Sequence, residues 1–329
     1  MIPIRDTIPS KTYSVVNTTL IGLNVLIFLA QPSSGSGLER FAYLYGFVPA
    51  RYTIPRIADY FSPGQQLFSF ISFMFLHGGF WHLLGNMWSL YIFGDNIEDR
   101  LGPFRYLLFY ILCGLASGMT HFVFNPSSTV PIIGASGAIA GVMGAYILLY
   151  PGAKILTLIP IFFIPWFIEI PAVFFLGFWF LMQFMNAAGH TGNAGGIAWW
   201  AHVGGFVSGM IFLKLFIKVP ASGLSNVFRK VAERKNSDLL QLLRPSAGGE
   251  DPHLYATLVI TYHEALVGTR KLINVPFGFH KRLFRVAVPP GTRDGNVLRL
   301  KGLGKQLPSG GHGDLYLKVT VQPIYQSGR

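Results

Sequence analysis

Charge is scarce in this sequence. Only 12% of its 329 residues are charged, roughly half the share usual in soluble domains. With long uncharged runs, that excludes an ordinary soluble globule and points to a chain that crosses a membrane repeatedly. Acid is scarcer than base, 14 residues against 26, giving a formal charge of +12. Residues 1–245 hold 15 basic and 9 acidic residues in a mostly apolar background, and residues 246–329 hold 11 and 5. Such a balance reads as membrane orientation, and no nucleic-acid partner is expected. The single cysteine, Cys113, excludes an internal disulfide and a cysteine zinc site. The first apolar run, near 15–30, lacks a small-residue cleavage pattern and reads as a retained helix.

What is present is a series of apolar runs, from which we expect six transmembrane helices: about 13–30, 70–93, 104–124, 132–150, 170–185 and 197–217. Residues 1–12 read as a short polar tail and 31–69 as a long loop with aromatics, suited to the membrane interface. Pro151 to Glu169 is ambiguous: apolar but broken by Pro160 and Pro165, it is either a loop at the membrane face or a seventh crossing that would reverse the C-terminus. Residues 186–196 read as a glycine-rich loop. With six crossings, Arg5, Lys11, Arg100, Arg105, Lys154, Lys214 and Lys218 share one side, leaving Arg40, Arg51 and Arg56 on the other. The positive-inside rule then puts both termini in the cytoplasm, in a bacterial inner membrane.

The organising stretch is Ile132 to Gly144, small, apolar and carrying one hydroxyl, Ser136. At helical spacing Ser136, Ala140 and Gly144 form a stripe with Gly137 and Gly141 beside it. Taken alone, it reads as a packing surface for another helix. Polar groups inside a bilayer are costly and mark function. The second run carries His82 and Asn86 on one face; the sixth carries His202, with Gly205 and Gly209 on its stripe. Runs four and six enter from the same side, so Ser136 and His202 lie at matching depth. A serine hydroxyl needs a base to become a nucleophile, and histidine serves near neutral pH. The free N–H groups at the start of the fourth helix, with Asn86 and His82, are candidate donors to an oxyanion. No Asp or Glu lies in the outer half of any run, so a Ser–His dyad is expected rather than a triad. A metal site of His77, His82 and His202 is the rival; it is disfavoured because His77 and His82, five apart, diverge by about 140° on a helix.

His82-Leu83-Leu84-Gly85-Asn86, Gly94-Asp95-Asn96-Ile97-Glu98-Asp99-Arg100-Leu101-Gly102, Gly134-Ala135-Ser136-Gly137 and Ala201-His202-Val203-Gly204-Gly205 occur in that order on successive runs. Over about residues 15–217 the chain resembles the rhomboid intramembrane serine proteases. The resemblance implies Ser136 as nucleophile, His202 as base, and His82, Asn86 and the Ser136 N–H as the oxyanion hole. It implies a structural pairing of Glu98 with Arg100, and transmembrane segments of other proteins as substrates, with no metal or other cofactor. It also implies substrate entry past a mobile fifth helix and the loop before the sixth. The first loop lacks the Trp-Arg pair of some members.

Residues 218–250 read as a basic linker, with a candidate amphipathic helix over Asn226 to Leu243. Beyond it the pattern becomes alternating. Leu254, Ala256, Leu258 and Ile260 alternate with Tyr255, Thr257, Val259 and Thr261; 283–288 and 314–321 do the same, and 290–295 signals a turn. A small all-β soluble domain is expected over 251–329. Glu264 to Gly268, Val288 to Gly295, Leu298 to Gly304 and Gly313 to Tyr316 resemble the C-terminal β domain of Hsp40 (DnaJ) co-chaperones. That resemblance implies a partner in unfolded polypeptide or a chaperone. The His-Pro-Asp of a J domain is absent, so no stimulation of an Hsp70 by this chain alone is expected.

The expected fold is thus a rhomboid-like six-helix membrane domain (1–217), a linker (218–250) and the β domain. The expected function is serine endopeptidase, with lipid bilayer and transmembrane proteins as partners. The competing class is a catalytically silent membrane chaperone with a rhomboid shell. A transporter would instead line a path through the membrane with polar residues, which here cluster towards one side.

Overall fold

The computed structural model describes residues 1–8, 10, 12–161, 164–189, 198–218, 240–242, 251–277, 280–305 and 311–322. It divides into two compact units, residues 1–234 and 235–329.

The first unit is built around α8 (Ser136–Leu149), in which every residue from Gly137 to Tyr146 is buried. A helix apolar on all faces belongs in the middle of a helical assembly. Around it stand α6 (Phe80–Leu101), α7 (Pro103–Phe124), α9 (Ala172–Gly189) and α10 (Trp199–Lys218), and α1 (Val15–Ala30) packs on α6 and α7. The conspicuous central packing is helix on helix. A Cβ at Gly205 would strike the carbonyl of Gly137, one at Gly209 that of Gly141, and one at Gly144 that of Phe206. Two small-residue stripes thereby bring the backbones of α8 and α10 into direct contact. The tyrosines Tyr106, Tyr110 and Tyr146 and the phenylalanines Phe93 and Phe109 fill the wider gaps. Large apolar side chains such as Leu26, Leu29, Val123, Phe174 and Ile211 point outward, as lipid contact requires.

The charged cluster at the end of α6 ties the unit together. Glu98 accepts from the N–H groups of Val16 (3.0 Å) and Asn17 (2.7 Å), capping α1, and Asp99 accepts from the Thr12 N–H (2.9 Å). Gly102, at φ +82°, turns the chain, and Pro103 starts α7. The expected pairing of Glu98 with Arg100 does not form: Arg100 is exposed, and no ion pair joins them among the described residues. The α1 N–H groups occupy the carboxylate instead.

The six predicted runs each contain a helix, but α1, α6, α8 and α10 are shorter than their runs. By length and composition α7, α9 and α10 suffice alone to cross a membrane. The second run breaks at residues 76–79: α5 (Pro63–Ser72), with the short 3-10 turn Phe73–Phe75, meets α6 at 75°. The fourth run loses its first residues because Gly134, at φ +123°, leaves the helical region, so α8 has 14 residues and a length of about 21 Å. The described part is therefore a multi-helix membrane domain with three candidate spans, or four with the bent pair.

Three other expectations change. Residues 31–69 are largely helical, with α2 (Gly35–Tyr45), α3 (Ala50–Thr53) and α4 (Pro55–Ala58) preceding α5. In α3, Arg51 is buried with its guanidinium 3.7 Å from the centre of the Phe61 ring, and burial pushes its pKa down. The stretch 151–169 is no crossing: β2 (Lys154–Ile161) and β3 (Ile164–Pro171) form an antiparallel hairpin, with Pro160 opposite Pro165. A hairpin returns the chain to the side it left. Its third strand, β1 (Ile2–Asp6), comes from the expected polar tail.

In the second unit β5 (Leu254–Thr261) pairs in parallel with β9 (Leu315–Gln322), which pairs antiparallel with β8 (Val297–Leu300). A second sheet joins β4 (Leu240–Leu242), β6 (Thr269–Phe277) and β7 (His280–Val288). The alternation read along 254–261 gives the burial: Ala256, Leu258 and Ile260 pack with Leu315, Leu317 and Val319. The unit is strand-rich. A short helix, α11 (Tyr262–Val267), starts on a Thr261–Glu264 capping box. The candidate basic helix Asn226 to Leu243 lies outside the described residues over 226–239, and its end is β4. The glycine-rich loop beyond Gly189 also lies outside them, up to residue 197.

Candidate active site

The tight turn at Gly134 sets Ser136 as the first residue of α8. Gly134 donates its N–H to the Phe73 carbonyl (2.8 Å), anchoring the turn. Ile139 is the first residue whose N–H reaches back, to Ala135 (3.0 Å). The N–H groups of Ser136, Gly137 and Ala138 therefore lack intrahelical acceptors. His202 lies in the first turn of α10. Ser136 Oγ and His202 Nε2 are 2.7 Å apart, although 66 positions separate them. The glycine contacts between α8 and α10 set this distance, because larger residues there would part the helices.

His82 and Asn86 come from α6. A Cβ at Gly134 would stand 2.7 Å from His82 Nε2 and 3.6 Å from Asn86 Nδ2, so both side chains lie against the backbone just before Ser136. His82 Nδ1 accepts from the Gly78 N–H at 3.4 Å. Asn86 Nδ2 is buried and has no hydrogen-bond partner among the described residues. These groups line a cavity of about 620 Å³ with Gly134, Trp199 and His202.

All four sequence-predicted side chains therefore meet at one cavity. His77 does not follow the helical spacing assumed for it. It precedes α6, and its ring lies 5.0 Å from that of His82, edge-on. Among the described residues no three His, Cys, Asp or Glu side chains converge as a metal site.

Sequence reasoning missed other groups here. Gln183 on α9 places Oε1 2.7 Å from His202 Nδ1. Trp179, one turn earlier, sets its ring 5.9 Å from the imidazole. Ser117 and His121 on α7 also line the cavity, with Ser117 Oγ and His121 Nδ1 buried and without a partner among the described residues. The signal for Gln183 was present: it is a polar side chain within the fifth apolar run. A third group in an apolar run need not be a carboxylate, since a neutral amide is less costly there.

The rhomboid domain family matches residues 64–219, which span α5 to α10. Residues 64–219 are a rhomboid domain. The DnaJ C-terminal domain family matches residues 246–323, so the rhomboid part is followed by a DnaJ C-terminal region. Among the chain's relatives, "Rhomboid protein 1, mitochondrial" of Saccharomyces cerevisiae is 28% identical over 197 residues, covering 59% of the chain and 51% of the relative. "RHOMBOID-like protein 6, mitochondrial" of Arabidopsis thaliana is 29% identical over 163 residues, 49% and 47% of the two chains. "Rhomboid protease GluP" of Bacillus subtilis is 34% identical over 120 residues, 36% and 22%. The chain thus spans about half the length of the first two and less of the third.

Proposed function

We propose that this rhomboid chain is an intramembrane serine endopeptidase, with Ser136 as nucleophile and His202 as base. The observation that carries the reading is the 2.7 Å approach of Ser136 Oγ to His202 Nε2 at a cavity holding a buried amide, Asn86 Nδ2, that is unpaired among the described residues. Oγ attacks the scissile carbonyl carbon while its proton passes to Nε2. The carbonyl oxygen becomes an oxyanion, which the Ser136 N–H, Asn86 and His82 stabilise. The imidazolium protonates the leaving amine as the C–N bond breaks. Water then attacks the acyl-enzyme, giving up its proton to His202, and the ester bond to Oγ breaks as His202 returns that proton to Oγ.

The substrates are transmembrane segments of other proteins. The membrane domain, residues 1–217, crosses the bilayer six times with both termini cytoplasmic in a bacterial inner membrane. The hairpin at 154–171 supports an even count, since it returns the chain to its side. Residues 218–250 act as the linker, apart from the strand at 240–242, and 251–329 binds extended polypeptide. Exposed Tyr262, Leu266 and Val267 around α11 supply apolar surface for that binding.

Labelling by a fluorophosphonate probe in detergent tests the assignment. Wild type takes the probe, and Ser136→Ala and His202→Ala do not. Equal labelling of wild type and Ser136→Ala would favour the silent-chaperone reading.

A further inference from the structure

Gln183 is 8% exposed, and its Oε1 lies 2.7 Å from His202 Nδ1, on the far side of the imidazole from Ser136. We propose that Gln183 is a positioning residue for the hydrolysis, fixing the His202 tautomer so that Nε2 presents its lone pair to the Ser136 hydroxyl. The proposal rests on the reading of Ser136 and His202 as nucleophile and base.

A neutral imidazole carries one N–H, on Nδ1 or on Nε2. With the proton on Nε2, the ring donates to Oγ and has no lone pair there to take the serine proton. With the proton on Nδ1, Nε2 accepts from the hydroxyl. An oxygen at hydrogen-bond distance from Nδ1 selects the second arrangement. During attack the ring takes the proton from Oγ and becomes an imidazolium with N–H at both nitrogens. The bond from Nδ1 to Oε1 is then charge-assisted and shorter-lived states of the ring are held in the same orientation. A carboxamide does this without leaving a second ionised group inside the apolar part of the protein, where an Asp or Glu is costly. An Asn plays the comparable part in Cys-His-Asn proteases on an unrelated fold.

The packing agrees. Trp179, four residues before Gln183 on α9, and Trp199 on α10 set their rings 5.9 Å and 6.2 Å from the imidazole, restricting its tilt. The three groups stand on three helices. Ser136 and His202 sit on helices joined by backbone contact, whereas Gln183 sits on α9, whose outer face carries exposed Phe174, Phe178 and Met185. Orientation of the base therefore depends on the seating of α9.

The test is nitrogen-15 NMR of histidine-labelled full-length protein in detergent, with the His202 signals assigned by their loss in His202→Ala. Fluorophosphonate labelling and peptide cleavage are read alongside across pH. In wild type Nε2 of neutral His202 gives an unprotonated signal. In Gln183→Leu the tautomers mix, and kcat falls by about 10- to 100-fold with KM little changed, less than the ~10⁴-fold loss seen when a triad acid is replaced by an amide that imposes the wrong tautomer. Gln183→Glu keeps the acceptor, restores labelling and moves the base-dependent limb of the pH profile, which a merely structural role would not do. A wild-type signal protonated at Nε2 overturns the proposal, whatever the variants do. Unchanged tautomer and kcat in Gln183→Leu also overturn it. Absence of labelling in wild type itself would instead sink the protease reading, while the wild-type tautomer would still report on Gln183.

Discussion

A buried amide without a partner costs about 1–3 kcal/mol, and among the described residues Asn86 Nδ2 is such a group. A donor held unpaired at a cavity is ready for charge that appears only during reaction. Asn86→Ala should lower kcat by about 10²- to 10³-fold, as loss of an oxyanion donor does, without lowering the melting temperature. Steady-state cleavage and a thermal melt in detergent measure the two effects; a loss confined to melting would argue for a packing role. Asp6 carries a second residue-scale prediction. Burial pushes its carboxyl up to about 7, against the hydrogen bond from the Tyr146 hydroxyl and with the Asp95 carboxylate adding to the rise. It also accepts from Asn96 Nδ2 at 2.8 Å. The folded protein then holds a proton that the unfolded chain releases near pH 4. Stability from this group is full below that value and is lost as pH rises through about 7. Asp6→Asn should flatten the decline in melting temperature between pH 4 and 7; an unchanged slope would assign it to other groups.

At the scale of the element, the α8–α10 contact is what joins residues 66 positions apart. A Cβ at Gly209 would strike the Gly141 backbone, whereas one at Gly177 on α9 meets nothing within 4 Å. Gly209→Leu should therefore cost about 1–3 kcal/mol or more and abolish fluorophosphonate labelling, because separating the helices separates hydroxyl from imidazole. Gly177→Ala should leave both melting and labelling near wild type. Comparable effects in the two variants would show that helix approach does not control the site. The stripes of Gly137, Gly141, Gly205 and Gly209 were legible as sequence because small residues at helical spacing permit a single kind of close packing. The break before Phe80 and the hairpin at 154–171 were not. Both stretches are apolar, and apolar composition alone does not separate a continuous span from a bent pair or a strand.

Over the whole molecule, the two units have separate apolar cores, one around α8 and one between the strands of the second unit. Because β4 pairs with β6, the second unit takes in part of the expected linker, and a clean deletion removes residues 235–329. That deletion should leave labelling of Ser136 and cleavage of a simple transmembrane substrate within about twofold, since separate cores fold with little mutual dependence. Complete loss of cleavage by a well-folded truncated chain would contradict the division of labour between protease and polypeptide-binding region.

The residues themselves determined the family, the order of the helices and the facing of β5. Each follows from local pattern: motifs in order, apolar runs, and alternation against a core. Tertiary structure alone decided which groups surround the imidazole, how Glu98 is used, and where the N-terminal strand pairs. Those outcomes depend on distances between side chains far apart in the chain. Gln183 and the Val16 and Asn17 N–H groups carry no mark in the sequence saying which partner they will meet.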